Sequence, residues 1–242
     1  MKDYFFSGTQ YIRVTRTDTG PGAVDPGYPR DIASNWGWGS FGADGIDAAL
    51  YSGSKCYFFS GKHYIRVTRG VTGPGTMDPG YPRAISPNWG WGAFGADGID
   101  AALYSGSKCY FFSGKQYIRV TRGETGPGTV DAGYPRPISV WNWGSFGANG
   151  IDAALYSGSR CYFFSGDQYI RVTRSDEGAG TGLKLDGDVR NGRACGFDDV
   201  ASDGESVLRS GRDGRGDQEE NKGGCESREH FSMLQRRGLS VT

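Results

Sequence analysis

The sequence of 242 residues contains no long apolar run. Its apolar stretches are only a few residues long, whereas a membrane-spanning helix needs roughly 20. The first ten residues, MKDYFFSGTQ, also lack an apolar segment of the length found in signal peptides. We therefore expect no membrane partner and, for the chain as written, a cytoplasmic location. An extracellular location stays open if a leader preceded residue 1.

Positive charge is not clustered. Residues 1–174 carry 17 Lys and Arg against 13 Asp and Glu, and residues 175–242 carry 10 against 14, so that the formal net charge is zero. A nucleic-acid binder needs a basic patch or stripe that neutralises many phosphates. We therefore expect no nucleic-acid partner.

Histidine is scarce, since the chain has only His63 and His230. No Ser, Cys or Asp lies in a recognisable nucleophile context, and every carboxylate that recurs does so in a repeat. Residues that recur in all units of a repeat protein usually stabilise the unit itself. The sequence therefore predicts a protein that is not an enzyme.

Repetition is what the chain has in abundance. Residues 42–70, GADGIDAALYSGSKCYFFSGKHYIRVTRG, return at 95–123 with one change and at 147–175 with a few more. Self-similarity at a fixed period is the signature of a repeat architecture. The period is shown by four tyrosines at steps of 53, 53 and 52 residues: Tyr4, Tyr57, Tyr110 and Tyr162.

The sequence pattern of each repeat unit predicts a small sheet of four strands. IDAALYS reads as the first strand, the aromatic and β-branched runs CYFFSG and YIRVTR as the second and third, and residues 76–78 as a short fourth. Phe58 lies on one face of the second strand and Phe59 on the other, so both faces are apolar. A ring of such sheets covers both faces and leaves few exposed edges. The fold class predicted is all-β, a four-bladed β-propeller.

Three strings in each unit carry a family resemblance. IDAAL, YFFSGKQYIRV and PGYPRAISPNW resemble the hemopexin repeat, and the likeness covers residues 1–174. The chain is similar to single-propeller members of that family, such as plant seed albumins and microbial or fungal hemopexin-like proteins. The resemblance implies a non-catalytic binding protein that takes a small ligand, such as a polyamine or haem.

The first and last blades are expected to be incomplete. The repeat assigns residues 1–45 to a partial first blade that begins at its second strand, 46–98 to the second, 99–150 to the third and 151–174 to a partial fourth that stops after its third strand. Residues 175–242 hold two aromatics among many glycines and alternating charges. Such a segment cannot bury enough apolar surface to offset its ordering entropy, so it is predicted to be disordered or an aberrant tail.

The resemblance also implies a cation site. In hemopexin-type propellers the first strands line a central tunnel, and the backbone carbonyls of an Asp at the start of each strand hold a cation. The matching residues here are Asp47, Asp100 and Asp152, and the first copy offers no equivalent. Oxygen ligands of this kind suit calcium or sodium. The alternative is that these residues only order the turn between blades.

Three cysteines, Cys56, Cys109 and Cys161, occupy one equivalent position in three units. Symmetry-related positions on separate blades are unsuited to the roughly 5 to 6 Å Cα spacing of a disulfide, so we expect buried thiols and a reducing compartment. Cys195 and Cys225 lie in the tail and lack the spacing of a zinc site.

Tryptophan and arginine supply the remaining candidates. The favoured interpretation is that the paired tryptophans are buried and pack the blades together. If they were exposed instead, they would form stacking platforms for a ligand. Arg66, Arg69 and their equivalents are predicted to pair with turn carboxylates, with an anion site as the alternative. His63 stands where the other units have Gln, which indicates a surface residue; the alternative is a haem ligand. The tryptophan pairs are Trp36 and Trp38, Trp89 and Trp91, and Trp141 and Trp143.

A second function of a different class stays open. The propeller face could serve as a protein–protein interaction or oligomerisation module. Incomplete first and last blades would favour a homodimer in which copies exchange blade segments.

Overall fold

A computed structural model describes residues 2–15, 22–52, 54–68, 75–105, 108–121, 128–157, 160–173, 184–185 and 230–231. These residues form four small sheets, one for each copy of the repeat. The four-bladed propeller predicted from the period is therefore confirmed.

A hairpin of two six-residue strands forms the middle of every blade. Its strands pair antiparallel along their whole length, as in the pairing of Tyr57 with Arg66. A two-residue turn joins them, and its first residue, Gly61, has a φ of 54° that suits glycine. The four hairpins are Lys2–Ser7 with Gln10–Thr15, Lys55–Ser60 with His63–Thr68, Lys108–Ser113 with Gln116–Thr121, and Arg160–Ser165 with Gln168–Thr173.

In the second, third and fourth blades the inner strand comes from the IDAALYS run and lies nearest the centre. Neighbouring inner strands are in contact with one another, so they surround the axis of the ring. Their small alanines, such as Ala48 and Ala101, are fully buried. The three inner strands are Ala48–Ser52, Ala101–Ser105 and Ala153–Ser157.

The outer edge of each of the first three blades is a broken strand followed by a short helix. Two residues pair with the end of the third strand and two more with its beginning, and a proline-containing loop spans the gap between them. The pairs are Ala23–Val24 and Arg30–Asp31, Thr76–Met77 and Arg83–Ala84, and Thr129–Val130 and Arg136–Pro137. The α-helices are Ile32–Trp36 and Ile85–Asn88, and the 3₁₀ helix is Ile138–Trp141. Among the described residues, no helix has the length and apolar character needed to cross a membrane.

Two short strands from beyond residue 174 join the ring. Lys184–Leu185 pairs with the third strand of the fourth blade, where the other blades have their fourth strand. His230–Phe231 pairs with the inner side of Lys2–Ser7, in parallel rather than antiparallel orientation. Its two residues replace the five found in the other blades, so the first blade remains smaller. The predicted disorder of the rest of 175–242, including Cys195 and Cys225, lies outside the described residues.

Consecutive phenylalanines in the second strand hold adjacent blades together. Phe58 faces the preceding blade, with ring centroids 4.5 Å from Trp38 and 5.9 Å from Phe6. Phe59 faces the following blade, 6.0 Å from Phe111. Phe58, Phe59 and Phe111 are completely buried, and full burial of such a side chain contributes about 1.5–3 kcal/mol. The two faces of each sheet are thus covered by its two neighbours.

Burial is weaker where the fourth blade meets the first. Phe5 and Phe164 occupy the two positions equivalent to Phe58 and Phe59 at this junction, and both are only half-buried. The seam expected from the incomplete blades therefore shows in the packing of these rings.

Backbone also approaches backbone between blades. A Cβ atom at Gly98, which directly precedes the third blade, would lie 2.9 Å from the carbonyl oxygen of Gly61 in the hairpin of the second. The φ of Gly98 is +124°, a conformation that other residues rarely adopt. The same contact occurs between Gly45 and Gly8, where the first blade meets the second, and between Gly150 and Gly114, where the third meets the fourth.

We expect Gly98→Ala to lower the free energy of unfolding by about 2 kcal/mol or more, because strain in φ is combined with a steric clash against backbone. Gly92→Ala is the matched control, since Gly92 has a positive φ of +61° but open space around the added methyl. Gly92→Ala should lower the free energy of unfolding by only about 1 kcal/mol. Urea unfolding of both variants measures the difference, and equal losses would contradict a close contact between these blades.

Candidate functional site

The three Asp residues of the predicted cation site lie immediately before the three inner strands. The backbone N–H of Asp47 donates to the carbonyl of Phe59 at 2.8 Å, and the same bond at Asp100 and at Asp152 measures 2.9 Å. All three Asp residues are half-buried. Because the inner strands are neighbours around the ring axis, these three Asp residues occupy equivalent positions at the same end of that axis.

The side chain of each Asp is bound within its own blade. One carboxylate oxygen of Asp47 accepts a hydrogen bond from the N–H of Gly61 at 2.5 Å, in the turn between the second and third strands. Asp100 and Asp152 accept the same bond at 2.6 and 2.7 Å. The Oγ of Ser60 donates to the carbonyl of Gly45 nearby, at 2.7 Å. The Asp side chain thus orders the hairpin of its own blade, whereas the alternative drawn from the sequence placed the ordered turn between blades.

A cation at this position would have to rely on backbone oxygens. In the described part of the chain, no group of three or more His, Cys, Asp or Glu side chains is placed to hold a metal ion. Carbonyl oxygens with carboxylates close by are donors that suit hard cations such as calcium or sodium. The residues present therefore fit such an ion by the chemistry of their donors.

The cysteines lie where the sequence predicted. Cys56, Cys109 and Cys161 are buried and form no disulfide. The equivalent position in the first blade holds Asp3, whose side chain is also buried although it is an acid. The prediction of buried thiols in three blades is confirmed, and Asp3 marks the first blade as chemically different from the others.

The tryptophans pack inside the ring rather than forming open platforms. Trp36 and Trp38 are each 4% exposed, and their ring centroids lie 4.6 Å apart. Trp89 and Trp91 repeat this arrangement, also at 4.6 Å. The favoured interpretation of buried inter-blade packing is confirmed for these pairs.

The sequence predicted only part of a cluster of charged residues that lies at the outer edge of three blades. Asp78 accepts hydrogen bonds from Arg66 Nε at 2.5 Å, from Lys55 Nζ at 2.8 Å and from the hydroxyl of Thr68. The predicted pairing of Arg66 with a carboxylate is thereby confirmed, and Arg69 lies outside the described residues. The same four residue types recur in two other blades as Lys2, Arg13, Thr15 and Asp25, and as Lys108, Arg119, Thr121 and Asp131.

These contacts lower the pKa of the central carboxyl. Burial alone would raise the pKa of Asp78, but the hydrogen bonds from Lys55, Thr68 and Arg66 outweigh it and lower the value to about 2. The pKa of Asp131 is likewise about 2, and that of Asp25 is also lowered. The signal that could have identified the cluster is the Asp that recurs ahead of each GYP sequence.

His63 is exposed at the first residue of its strand, where it pairs in register with Ser60 and Ala84. This position agrees with the interpretation of a surface residue. The side chain of His230 lies outside the described residues.

Three segments of the chain match a known protein family. The hemopexin family model matches residues 2–40, 46–92 and 99–144, which together exceed half of the chain. The matched ranges correspond to the first three blades and their connections.

Two solved structures of plant seed proteins share the architecture. A 2S albumin seed protein from Dolichos has a TM-score of 0.62 and 27% sequence identity, and the alignment covers 78% of this chain and 87% of that protein. A protein from Cicer arietinum, described as a plant lectin with two metal binding sites, has a TM-score of 0.62 and 21% identity, with 82% and 89% covered. At that identity the second similarity supports the fold alone.

Human vitronectin is a relative by sequence. It is 42% identical over 106 residues, a region that makes up 39% of this chain and 20% of vitronectin. The aligned region therefore spans about a fifth of the length of that relative.

We expect the double variant Asp78→Asn and Asp131→Asn to flatten the dependence of stability on pH. The folded-state pKa of about 2 lies below the unfolded value of about 3.9, so these groups stabilise the fold above pH 4 and lose that effect as pH falls toward 2. At neutral pH the variant should be less stable by at least about 1 kcal/mol per site.

Urea unfolding between pH 7 and pH 2 measures this effect. Asp97→Asn is the control, because the Asp97 side chain is 94% exposed and pairs only loosely with Lys62 at 3.3 Å. A double variant that follows the wild-type pH profile would contradict the stabilising role of the two clusters.

Proposed function

The chain belongs to the hemopexin family, and from that premise we propose that it is a non-catalytic binding protein. Its central site would take a calcium or sodium ion on the backbone carbonyls of Asp47, Asp100 and Asp152, and the propeller would bind a small ligand such as a polyamine or haem. The observation that carries this proposal is the recurrence of one Asp arrangement at the same end of three neighbouring inner strands.

The surroundings of these residues favour a cation over an anion. Each carboxylate brings a negative charge beside the backbone whose carbonyl is proposed as a ligand, and it accepts a hydrogen bond from a backbone N–H of the same blade. A hard cation is attracted by such charge and by carbonyl dipoles. A protonated amine of a polyamine would be drawn by the same charges.

Self-association is the second candidate. The inner partner of Lys2–Ser7 is His230–Phe231, which lies more than 200 residues away in the chain. A strand connected over such a distance could be supplied by another copy, which would give a homodimer through exchange of segments. Concentration-dependent dimers whose amount is unaffected by calcium, spermine or hemin would favour this candidate.

We expect calcium to raise the thermal unfolding temperature of the full chain. A ligand present at a hundred times its dissociation constant adds about 2.7 kcal/mol to the folded state. Far-UV circular dichroism follows unfolding with calcium, sodium, spermine or hemin, and choline chloride keeps the ionic strength constant.

Asp100→Asn is the test variant. It keeps an oxygen that can accept from Gly114 but removes the charge beside the proposed site, so the shift caused by calcium should shrink. Asp97→Asn, which changes an exposed carboxylate, should leave the shift unchanged. The proposal of a central cation site fails if no cation raises the unfolding temperature, or if both variants respond to calcium as the wild type does.

A further inference from the structure

One arginine in each of three blades makes two contacts that orient its side chain at the outer edge of the ring. The Nε of Arg83 donates to the carbonyl of Gly80 at 3.0 Å, and its guanidinium lies 4.7 Å from the ring centre of Tyr81. Arg30 and Arg136 make the same two contacts, with hydrogen bonds of 3.1 and 3.2 Å and ring distances of 4.7 and 4.9 Å. All three arginines are exposed to solvent.

These arginines have no carboxylate counter-ion in the described part of the chain. The acidic residue that recurs at the outer edge of these blades, Asp78 in the second blade, already binds Lys55 and Arg66. In the second and third blades the outer edge therefore carries one lysine and two arginines against one aspartate; in the first blade Asp31, which caps the following helix, adds a second carboxylate. Because the Nε atom and the face of the guanidinium are occupied, its outward N–H groups are the part that remains for a ligand.

A guanidinium fixed in this way suits a sulfate or carboxylate group. Arginine recognises such groups through two parallel N–H donors, which lysine cannot provide. The hydrogen bond to a carbonyl and the stacking on tyrosine fix the arginine before any ligand arrives, so little conformational freedom is lost on binding. The three copies would act together on one ligand that carries many acidic groups.

We propose that the outer edge of the ring binds an acidic polysaccharide through Arg30, Arg83 and Arg136. The basic clusters lie on separate blades, whereas single-stranded nucleic acid is bound along a positively charged groove with open aromatic rings on which bases stack. Here the ring of Tyr81 is covered by Arg66 and Arg83. A folded protein partner would need an apolar interface core, but the large hydrophobic residues exposed in the described ranges are only Val24 and Val140. A flexible, acidic polysaccharide can bind separate polar sites. It needs neither a positively charged groove with open aromatic rings nor an apolar interface core.

The experiment measures binding of the full chain to immobilised dextran sulfate by surface plasmon resonance at 50 and 200 mM NaCl, with uncharged dextran as the blank. The double variant Arg83→Gln and Arg136→Gln should weaken binding by about tenfold or more, since two of three sites are lost. The control, Lys62→Gln and Lys115→Gln, removes the same charge from hairpin turns of the same two blades and should weaken it by less than about twofold.

A second pair of variants separates guanidinium geometry from charge. Arg83→Lys and Arg136→Lys keep the charge but lose the paired donors, so binding should be weaker than wild type while circular dichroism shows an unchanged fold. Polygalacturonate in place of dextran sulfate shows whether carboxylates serve as well as sulfates.

Three results would overturn the proposal. The first is no binding to either polyanion at 50 mM salt. The second is an equal loss of affinity in the Arg83→Gln, Arg136→Gln double variant and in the Lys62→Gln, Lys115→Gln control, which would indicate attraction to charge alone. The third is equal or tighter binding of a single-stranded oligonucleotide with the same dependence on Arg83 and Arg136, which would assign the edge to nucleic acid.

Discussion

The structure depends on the fact that each sheet is apolar on both faces. Phe58 and Phe59 are adjacent in one strand, so one must point to the preceding blade and the other to the following blade, and both are fully buried. No blade can bury both faces by itself. The near-identical repeats, the tryptophan pairs and the glycine contacts between blades all follow from this requirement, because every junction must solve the same packing problem.

The two proposed binding sites lie at the centre and at the outer edge of the ring. At the centre, small alanines allow inner strands to approach one another, and Asp47 with its equivalents fastens each inner strand to its hairpin. At the edge, the broken outer strand exposes a loop in which charged residues gather around Tyr81. A residue that recurs in three of the blades therefore stabilises its blade and also presents one chemical group several times around the ring.

The sequence predicted whatever follows from the period and from the alternation of side chains along strands. The blade number, the buried Cys56 and the buried tryptophans are of this kind. It predicted a carboxylate partner for Arg66 but not that Asp78 also binds Lys55 and Thr68, because Lys55 and Thr68 lie on two different strands and Asp78 follows a third. It also missed His230–Phe231 and Lys184–Leu185, since two-residue pairings leave no periodic pattern.

Urea unfolding of the full chain tests most directly whether each blade depends on its neighbours. The same unfolding transition is monitored by tryptophan fluorescence and by far-UV circular dichroism. All six tryptophans stand at the ends of the repeat units, so fluorescence reports the junctions, while circular dichroism reports the strands. If blades are stable only against one another, both signals should change in a single coincident transition. Loss of the fluorescence signal at lower urea, with strands retained until a second transition, would contradict this account.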